Sequence, residues 1–379
     1  ALFPGQGSQR LNMTSKLTRR NDWLQEKVTH AADLFNSCGS DQVISSVFRP
    51  VDRATGKEEV TSWMNQLKQT DIAQPAITLA SLVWFKFIER LGIKIGYASG
   101  HSLGELMAFY ASGLLSEESL LHFAAFRGKS MAQYGSGTMA SLACNREQVE
   151  KYLKEADGYV TIANINAPEQ IVISGDVEGI RQVVALAAKD QVSAIELPVS
   201  AAFHSKLVAE VAEQIAKYDR LKETGPGMNS VKLVSSVSGK EINEAPDLNS
   251  YFATQAVHQV DFISVAKYLG EHCDMLIEVG PGKVLSGLVS NISDKIRAFP
   301  VELNAEDDFS CNIMLAHVFV LGSNLRIDEI YKNRLIREFT PARKKKFLVN
   351  PLERPFPAEP AITENDLSSG IGALLGFGN

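Results

Sequence analysis

Residues 95–104 read Ile95-Gly96-Tyr97-Ala98-Ser99-Gly100-His101-Ser102-Leu103-Gly104 and end in a G-x-S-x-G pentapeptide. The apolar segment 95–99 is suited to a buried strand, and the segment 105–111 that follows favours a helix. Small glycines on both sides of Ser102 permit a tight strand-to-helix turn that lifts the serine hydroxyl clear of a sheet. The N-terminus of the helix would direct backbone N–H groups at an oxyanion formed on the serine. The pattern predicts a nucleophilic serine, with an ordinary turn as the alternative.

Strand-like and helix-like segments alternate along the rest of the chain, which favours an α/β architecture with a largely parallel sheet. The segment Ile77–Ile88 is apolar on nearly every side and predicts a buried helix. Between residues 137 and 198 the order is strand, helix, strand, strand, helix, strand, which predicts a ferredoxin-like unit inserted into a larger one. We expect its strands at 138–143, 159–164, 170–174 and 193–198, and its helices at 146–155 and 177–189.

The expected domain organisation therefore has three parts. An α/β-hydrolase-like catalytic subdomain comprises residues 1–136 and 199–300, and the inserted ferredoxin-like subdomain comprises 137–198. The region 301–379 contains one predicted helix, Phe309–Leu321, and turns Pro-rich beyond Thr340, which is typical of a linker. The final segment, 368–379, is Gly-rich and predicts a flexible tail.

Composition excludes several classes of protein. The chain has 379 residues, and 38 Lys and Arg stand against 44 Asp and Glu, so its net charge of −6 argues against general nucleic-acid binding. Its four cysteines (Cys38, Cys144, Cys273 and Cys311) are isolated in sequence, so we expect neither a metal site nor a disulfide framework. Scattered thiols suit a reducing compartment, and no apolar run reaches the length of a membrane span. We expect a cytoplasmic protein that does not enter a membrane.

A serine nucleophile needs a base, because its hydroxyl is hardly ionised at neutral pH. His101 adjoins Ser102, but so tight a turn should direct its side chain away. His204 follows a predicted strand in a loop that can present it, and the alternative for a lone loop histidine is a surface or capping role. A triad acid is left open: the candidates between the two residues are Asp157, Asp176 and Asp190.

Arg127 lies 25 residues beyond Ser102, one helix further along the chain. Its guanidinium is able to hold a carboxylate through two parallel hydrogen bonds. A solvated or salt-bridged helix charge is the alternative.

Six motifs together identify a family. They are Phe3-Pro4-Gly5-Gln6-Gly7-Ser8-Gln9, Gly100-His101-Ser102-Leu103-Gly104-Glu105, Arg127-Gly128-Lys129-Ser130-Met131, Asn164-Ile165-Asn166-Ala167-Pro168, Ala202-Phe203-His204-Ser205 and Glu278-Val279-Gly280-Pro281-Gly282. They occur in the order found in malonyl-CoA:acyl carrier protein transacylases, and residues 1–300 resemble that family. The long 10–75 region and the segment 321–357 are more similar to acyltransferase domains of polyketide or polyunsaturated-fatty-acid synthases with their post-domain linker.

The resemblance implies roles for individual residues. Ser102 would be the nucleophile and His204 the base, while Gln6 and Leu103 would supply the backbone N–H groups of an oxyanion hole. In the family a backbone carbonyl near the residue that matches Gln255, and no aspartate, orients the histidine.

The resemblance also implies the substrates. Arg127 would pair with the free carboxylate of a malonyl group, and Gln255 would line the site. Phe203 occupies the position where malonyl-selective synthase domains tend to carry Phe and methylmalonyl-selective ones Ser. Malonyl-CoA would be the donor and the phosphopantetheine thiol of an acyl carrier protein the acceptor. No bound cofactor is implied, and a flanking ketosynthase domain is a further expected neighbour.

Other functions remain open from the sequence. An editing hydrolase would use the same serine and histidine on carrier-bound acyl groups, but it has no use for a buried cation at Arg127. A non-catalytic docking domain would bind a carrier protein without needing Ser102 or His204, and a lipase or esterase would want a triad acid. Two further groups are interpreted structurally. Asn164 and Asn166 flank a predicted turn and hold a subdomain interface. The basic run 343–346 is a solvated linker, with binding of an acidic carrier protein as the alternative.

Overall fold

The structure is a computed structural model that describes residues 1–51, 54–199, 201–222, 225 and 227–333. Its strands are β1 (Leu2–Phe3), β2 (Tyr97–Gly100), β3 (Thr138–Leu142), β4 (Val160–Ala167), β5 (Gln170–Gly175), β6 (Ala194–Glu196), β7 (Lys232–Val234), β8 (Glu241–Ile242), β9 (Val260–Asp261), β10 (Leu276–Pro281) and β11 (Ala298–Glu302). Its α-helices are α1 (Ser15–Arg20), α2 (Asp22–Ser37), α3 (Gln42–Val47), α4 (Lys57–Leu67), α5 (Thr70–Arg90), α6 (Glu105–Ala111), α7 (Glu117–Tyr134), α8 (Arg146–Glu155), α9 (Val177–Lys189), α10 (Ala209–Ala216), α11 (Leu248–Val257), α12 (Phe262–His272), α13 (Val284–Ile292), α14 (Phe309–Val320) and α15 (Asp328–Tyr331).

The larger sheet has the strand order β11-β10-β1-β2-β7-β8. Every pair in it is parallel except β7 with β8. The α/β fold class and the largely parallel sheet are thus confirmed. Strand β2 begins at Tyr97, two residues later than the apolar pattern predicts, and its Gly100 pairs with Phe3. The loops after β1 and β2 therefore leave the same edge of the sheet side by side.

The smaller sheet has the order β6-β3-β5-β4-β9. Its first four strands and the helices α8 and α9 follow the predicted βαββαβ order, so the ferredoxin-like subdomain is confirmed. Strand β4 continues to Ala167, so Asn164 and Asn166 lie inside it and not beside the turn as predicted. Strand β9 comes from outside the insertion and pairs in parallel with β4, which sequence periodicity did not predict.

A single buried helix organises the core of the larger subdomain. Helix α5 contains the predicted buried segment Ile77–Ile88 and packs against both α7 and β10. The smaller subdomain has its own core, in which Leu142, Ile173 and Val183 are fully buried. Each such side chain contributes about 1.5–3 kcal/mol relative to leaving it exposed, so each sheet is supported by its own apolar packing.

The C-terminal part of the described chain belongs to the larger sheet. Strand β11 continues two residues past the expected boundary at 300, and α14, which matches the predicted helix Phe309–Leu321, packs on it. The Pro-rich segment, the basic run 343–346 and the Gly-rich end lie outside the described residues. Among the residues described, no helix has the length and apolar character needed to span a membrane.

Candidate active site

The G-x-S-x-G turn has the geometry that its sequence predicts. Ser102 follows β2 and has φ +52°, in the left-handed region that residues other than glycine rarely adopt. A Cβ on Gly100 would come within 2.0 Å of the Gly104 carbonyl carbon, and a Cβ on Gly104 within 1.9 Å of the Phe3 oxygen. Only glycine fits at these two positions, because backbone lies where a side chain would begin. The two glycines allow Ser102 to stand at the end of the strand.

Ser102 and His204 form a hydrogen-bonded pair, with Oγ 2.7 Å from Nε2. The Nδ1 atom of His204 lies 2.8 Å from the His258 carbonyl oxygen and 3.2 Å from that of Gln255. Both oxygens only accept, so Nδ1 carries the proton and Nε2 is left to accept one from Ser102. Backbone carbonyls at the end of α11 therefore orient the histidine, as the family resemblance implied.

None of the aspartates left open by the sequence takes the position of a triad acid. Asp176 caps α9 by accepting from the Gly179 N–H, and Asp190 accepts from the Tyr152 hydroxyl. Asp157 precedes β4 in the smaller subdomain. The arrangement at Ser102 is a dyad held by backbone oxygens.

Burial sets the protonation state of the histidine. His204 is 3% exposed, and this burial, together with the positive charge of Arg127 and the nearby His101, lowers its pKa to about 3. The bonds to the two carbonyls oppose that shift only in part. His204 is thus neutral near pH 7 and is able to take a proton.

Arg127 is the most unusual charge in the site. Its side chain is 1% exposed, and its Nη1 donates to Gln74 Oε1 at 2.8 Å while Nη2 lies 3.4 Å from Gln255 Oε1. Nε has no hydrogen-bond partner, and within the described part of the chain no carboxylate oxygen lies within 4.0 Å of the guanidinium. Burial lowers its pKa to about 10, against the opposing influence of the Glu105 carboxylate. A buried cation without an ion-pair partner is costly unless a ligand supplies the counter-charge.

The close packing of two helices brings Arg127 to this position. A Cβ on Gly128 of α7 would lie 2.9 Å from the Thr70 carbonyl oxygen of α5, so the glycine lets the two helices approach closely. Gln74, one turn along α5, then meets the guanidinium. Sequence reasoning found Arg127 but missed Gln74, whose signal is a buried amide in a largely apolar helix.

Two further predicted site residues, Gln6 and Leu103, lie shortly after β1 and β2. Gln6 and Leu103 each stand three residues past the paired residues Phe3 and Gly100, so the β1 and β2 loops present them side by side. A Cβ on Gly5 would come within 2.5 Å of the His101 carbonyl oxygen, which shows how closely the two loops run.

Phe203 precedes His204 and is 8% exposed. Its carbonyl oxygen accepts from the Ser174 hydroxyl of β5, which joins it to the smaller sheet. His101 likewise reaches that sheet, since its Nε2 lies 2.7 Å from Asn166 Oδ1. The expected interface role of Asn166 is therefore seen, and the side chain of His101 points away from the dyad as predicted.

Sequence reasoning also missed Glu105, which directly follows the pentapeptide. It is fully buried and accepts hydrogen bonds from Ser236, Tyr251 and Gln255. An acidic residue at a buried helix position is the only local signal, because its partners lie more than 130 residues away.

Sequence comparisons with known proteins indicate which family the chain resembles. Residues 2–294 match the acyl transferase domain family. The malonyl CoA-acyl carrier protein transacylase of Bacillus subtilis (strain 168) is 33% identical over 313 residues, which are 79% of this chain and 92% of that protein. The enzyme of the same name from Staphylococcus aureus (strain MSSA476) is 30% identical over 79% of this chain and 94% of its own.

Solved structures of acyltransferases have a fold similar to that of this chain. The crystal structure of malonyl CoA-acyl carrier protein transacylase from Clostridium perfringens has a TM-score of 0.72 at 27% identity, covering 85% of this chain and 98% of its own. The acyltransferase domain of the second module of the salinomycin polyketide synthase has a TM-score of 0.73 over 87% of this chain and 75% of its own; at 24% identity it supports the fold alone. On its sequence match, its fold and its serine–histidine dyad, the chain belongs to the acyl transferase domain family.

Proposed function

We propose that the protein moves a malonyl group from malonyl-CoA, through an ester on Ser102, to the phosphopantetheine thiol of an acyl carrier protein. The observation that carries the proposal is Arg127, a buried cation without a carboxylate partner among the described residues, beside the Ser102–His204 dyad. A dicarboxylic acyl group supplies the missing negative charge. The relatives named malonyl CoA-acyl carrier protein transacylase support the same substrates.

The first half-reaction forms the acyl-enzyme. His204 Nε2 takes the Ser102 proton as Oγ attacks the thioester carbon, which gives a tetrahedral intermediate with a negative oxygen. The backbone N–H groups of Gln6 and Leu103 stabilise that oxygen, and each such donor is worth roughly 3–4 kcal/mol of barrier. The carbon–sulfur bond then breaks, and CoA leaves as a thiol with the proton from His204.

The second half-reaction runs the same steps with a new nucleophile. The phosphopantetheine thiol gives its proton to His204 as the sulfur attacks the ester carbon of malonyl-Ser102. The intermediate collapses with loss of the serine oxygen, which recovers the proton from His204. A neutral histidine is needed at the start of both halves, and the low pKa of His204 supplies it.

Selection between acyl groups has two parts in this proposal. Arg127 favours a free carboxylate, since binding it through two hydrogen bonds offsets the cost of the buried charge. The ring of Phe203, next to His204, leaves little room for an α-methyl group, which favours malonyl over methylmalonyl. An editing hydrolase of uncharged chains gains nothing from Arg127.

Location and neighbours complete the proposal. A cytoplasmic location rests on the four isolated cysteines. A flanking ketosynthase domain rests on the similarity of the C-terminal region to synthase acyltransferase domains.

Intact-protein mass spectrometry after exposure to a panel of acyl-CoAs tests the proposal. We expect a malonyl adduct that is stable until a carrier protein is added, and its absence in Ser102→Ala. Arg127→Leu is expected to lose the preference for malonyl over acetyl. Unchanged labelling of Ser102→Ala would exclude the serine as nucleophile, and an unchanged malonyl-to-acetyl ratio in Arg127→Leu would exclude the arginine as the carboxylate site.

A further inference from the structure

Glu105 is a buried carboxylate directly beneath the nucleophile turn. Its Oε1 accepts from the Ser236 backbone N–H at 2.7 Å and from the Tyr251 hydroxyl at 2.6 Å. Its Oε2 accepts from the Ser236 hydroxyl at 2.6 Å and from Gln255 Nε2 at 3.0 Å. Burial raises the pKa of this group, and the four donors oppose that shift by stabilising its charged form. Four donors thus converge on one carboxylate that is not among the reacting atoms.

The amide of Gln255 connects Glu105 to the reactive residues. Its Nε2 faces two groups that only accept, Glu105 Oε2 at 3.0 Å and the Ser102 carbonyl oxygen at 2.8 Å. Its Oε1 faces the guanidinium of Arg127, which only donates. All three neighbours therefore demand the same orientation of the amide.

We infer that Glu105 is a positioning residue for acyl-group selection: it fixes the Gln255 amide so that an oxygen faces Arg127 and an N–H faces the backbone of Ser102. This inference rests on the proposed function, because it assigns Arg127 to the substrate carboxylate. Glu105 itself touches neither substrate nor nucleophile side chain; it acts through Gln255.

Counting donors shows why a carboxylate is required at position 105. In Glu105→Gln, the Ser236 backbone N–H is a fixed donor, so the amide oxygen of the new side chain must take the Oε1 position. Its NH2 then takes the Oε2 position and meets the NH2 of Gln255. The clash is relieved when Gln255 turns over, which directs an NH2 at Arg127 and an oxygen at the Ser102 carbonyl. A donor of Gln255 then faces the donors of Arg127, and an acceptor of Gln255 faces the carbonyl oxygen of Ser102.

The test compares kcat/KM for formation of the acyl-enzyme from malonyl-CoA and from acetyl-CoA. In Glu105→Gln we expect the malonyl-to-acetyl ratio to fall roughly tenfold, the size of effect of one hydrogen bond to a charged group. General loss of structure lowers both rates together and leaves the ratio unchanged. A folded Glu105→Gln with the wild-type ratio overturns the inference.

Tyr251→Phe is the matched control, because it removes one donor from the same carboxylate and leaves Gln255 with its three neighbours. We expect it to retain the wild-type ratio; an equal fall would assign Glu105 a purely structural role and overturn the inference. If circular dichroism shows that Glu105→Gln does not fold, Gln255→Leu carries the test, with the same fall expected and a wild-type ratio overturning the inference. A wild-type protein that never takes a malonyl group would refute the proposed function separately.

Discussion

Lowering the pH from about 7.5 to about 5 should leave the rate of acyl-enzyme formation nearly unchanged. The reaction needs His204 neutral, and its burial beside Arg127 lowers its pKa to about 3. For a base with a lowered pKa, the active neutral form persists below the usual titration range and is lost only as the pH approaches the shifted value.

The expected magnitude follows from the two pKa values. With a pKa of about 3, roughly 99% of His204 is neutral at about pH 5, whereas an unperturbed histidine of pKa about 6.5 would be roughly 3% neutral there. The unperturbed case therefore predicts a roughly thirtyfold loss of rate over this range, and the structure predicts a loss of about 1%.

The assay is rapid-quench acylation by acetyl-CoA, followed by intact-protein mass spectrometry. Its kcat/KM reports the free enzyme, and acetyl-CoA carries no carboxylate of its own that titrates in this range. Circular dichroism at each pH confirms that the protein stays folded. Arg127→Met removes the second-largest cause of the low pKa, so the acid limb of its profile should move to higher pH than in wild type. A roughly thirtyfold fall in wild type with an apparent pKa near 6.5 would refute the reasoning.

Three further experiments test the turn and the proposed acyl pocket. In denaturant titrations, the free energy of unfolding of Ser102→Gly should be about 1 kcal/mol higher than that of Ser102→Ala. Both variants lack the hydroxyl, but only glycine adopts φ +52° without strain. Equal stabilities would show that the turn is unstrained. Gly104→Ala should lower the free energy of unfolding by at least about 3 kcal/mol, because the new Cβ would meet the Phe3 oxygen at 1.9 Å. Gly96→Ala, whose Cβ has nothing within 4 Å, should change that free energy by no more than about 0.5 kcal/mol. Similar losses in the two variants would contradict the packing argument. Phe203→Ser should raise the methylmalonyl-to-malonyl loading ratio roughly tenfold by mass spectrometry, and an unchanged ratio would remove Phe203 from the pocket.

The parts of the fold that sequence predicted are those specified locally. The G-x-S-x-G turn is encoded by two glycines within five residues, and the βαββαβ insertion by the alternation of periodic segments. The buried helix was predicted because the segment 77–88 is apolar on nearly every side. His204 and Arg127 were found by residue type and position, and the family resemblance supplied their roles.

The parts that sequence did not predict depend on contacts between distant residues. Strand β9 has two residues, too few to show a period of two, and it is defined only by its pairing with β4. The carbonyl oxygens that hold His204 carry no sequence signal, because every residue has one. Gln74 and Glu105 read as ordinary polar helix residues until their partners, 53 or more residues away, are known.

The pairing of β9 with β4 joins the two subdomains next to the contacts that hold His204 and His101. The His258 oxygen that holds His204 stands two residues before β9, and Asn166, at the end of β4, holds the residue next to Ser102. A motion that separated the two sheets would displace both His204 and Ser102, the proposed base and nucleophile, from their present positions. We therefore expect substrates to enter and leave without a hinge motion between the two sheets, because the contacts that hold His204 and His101 span that boundary.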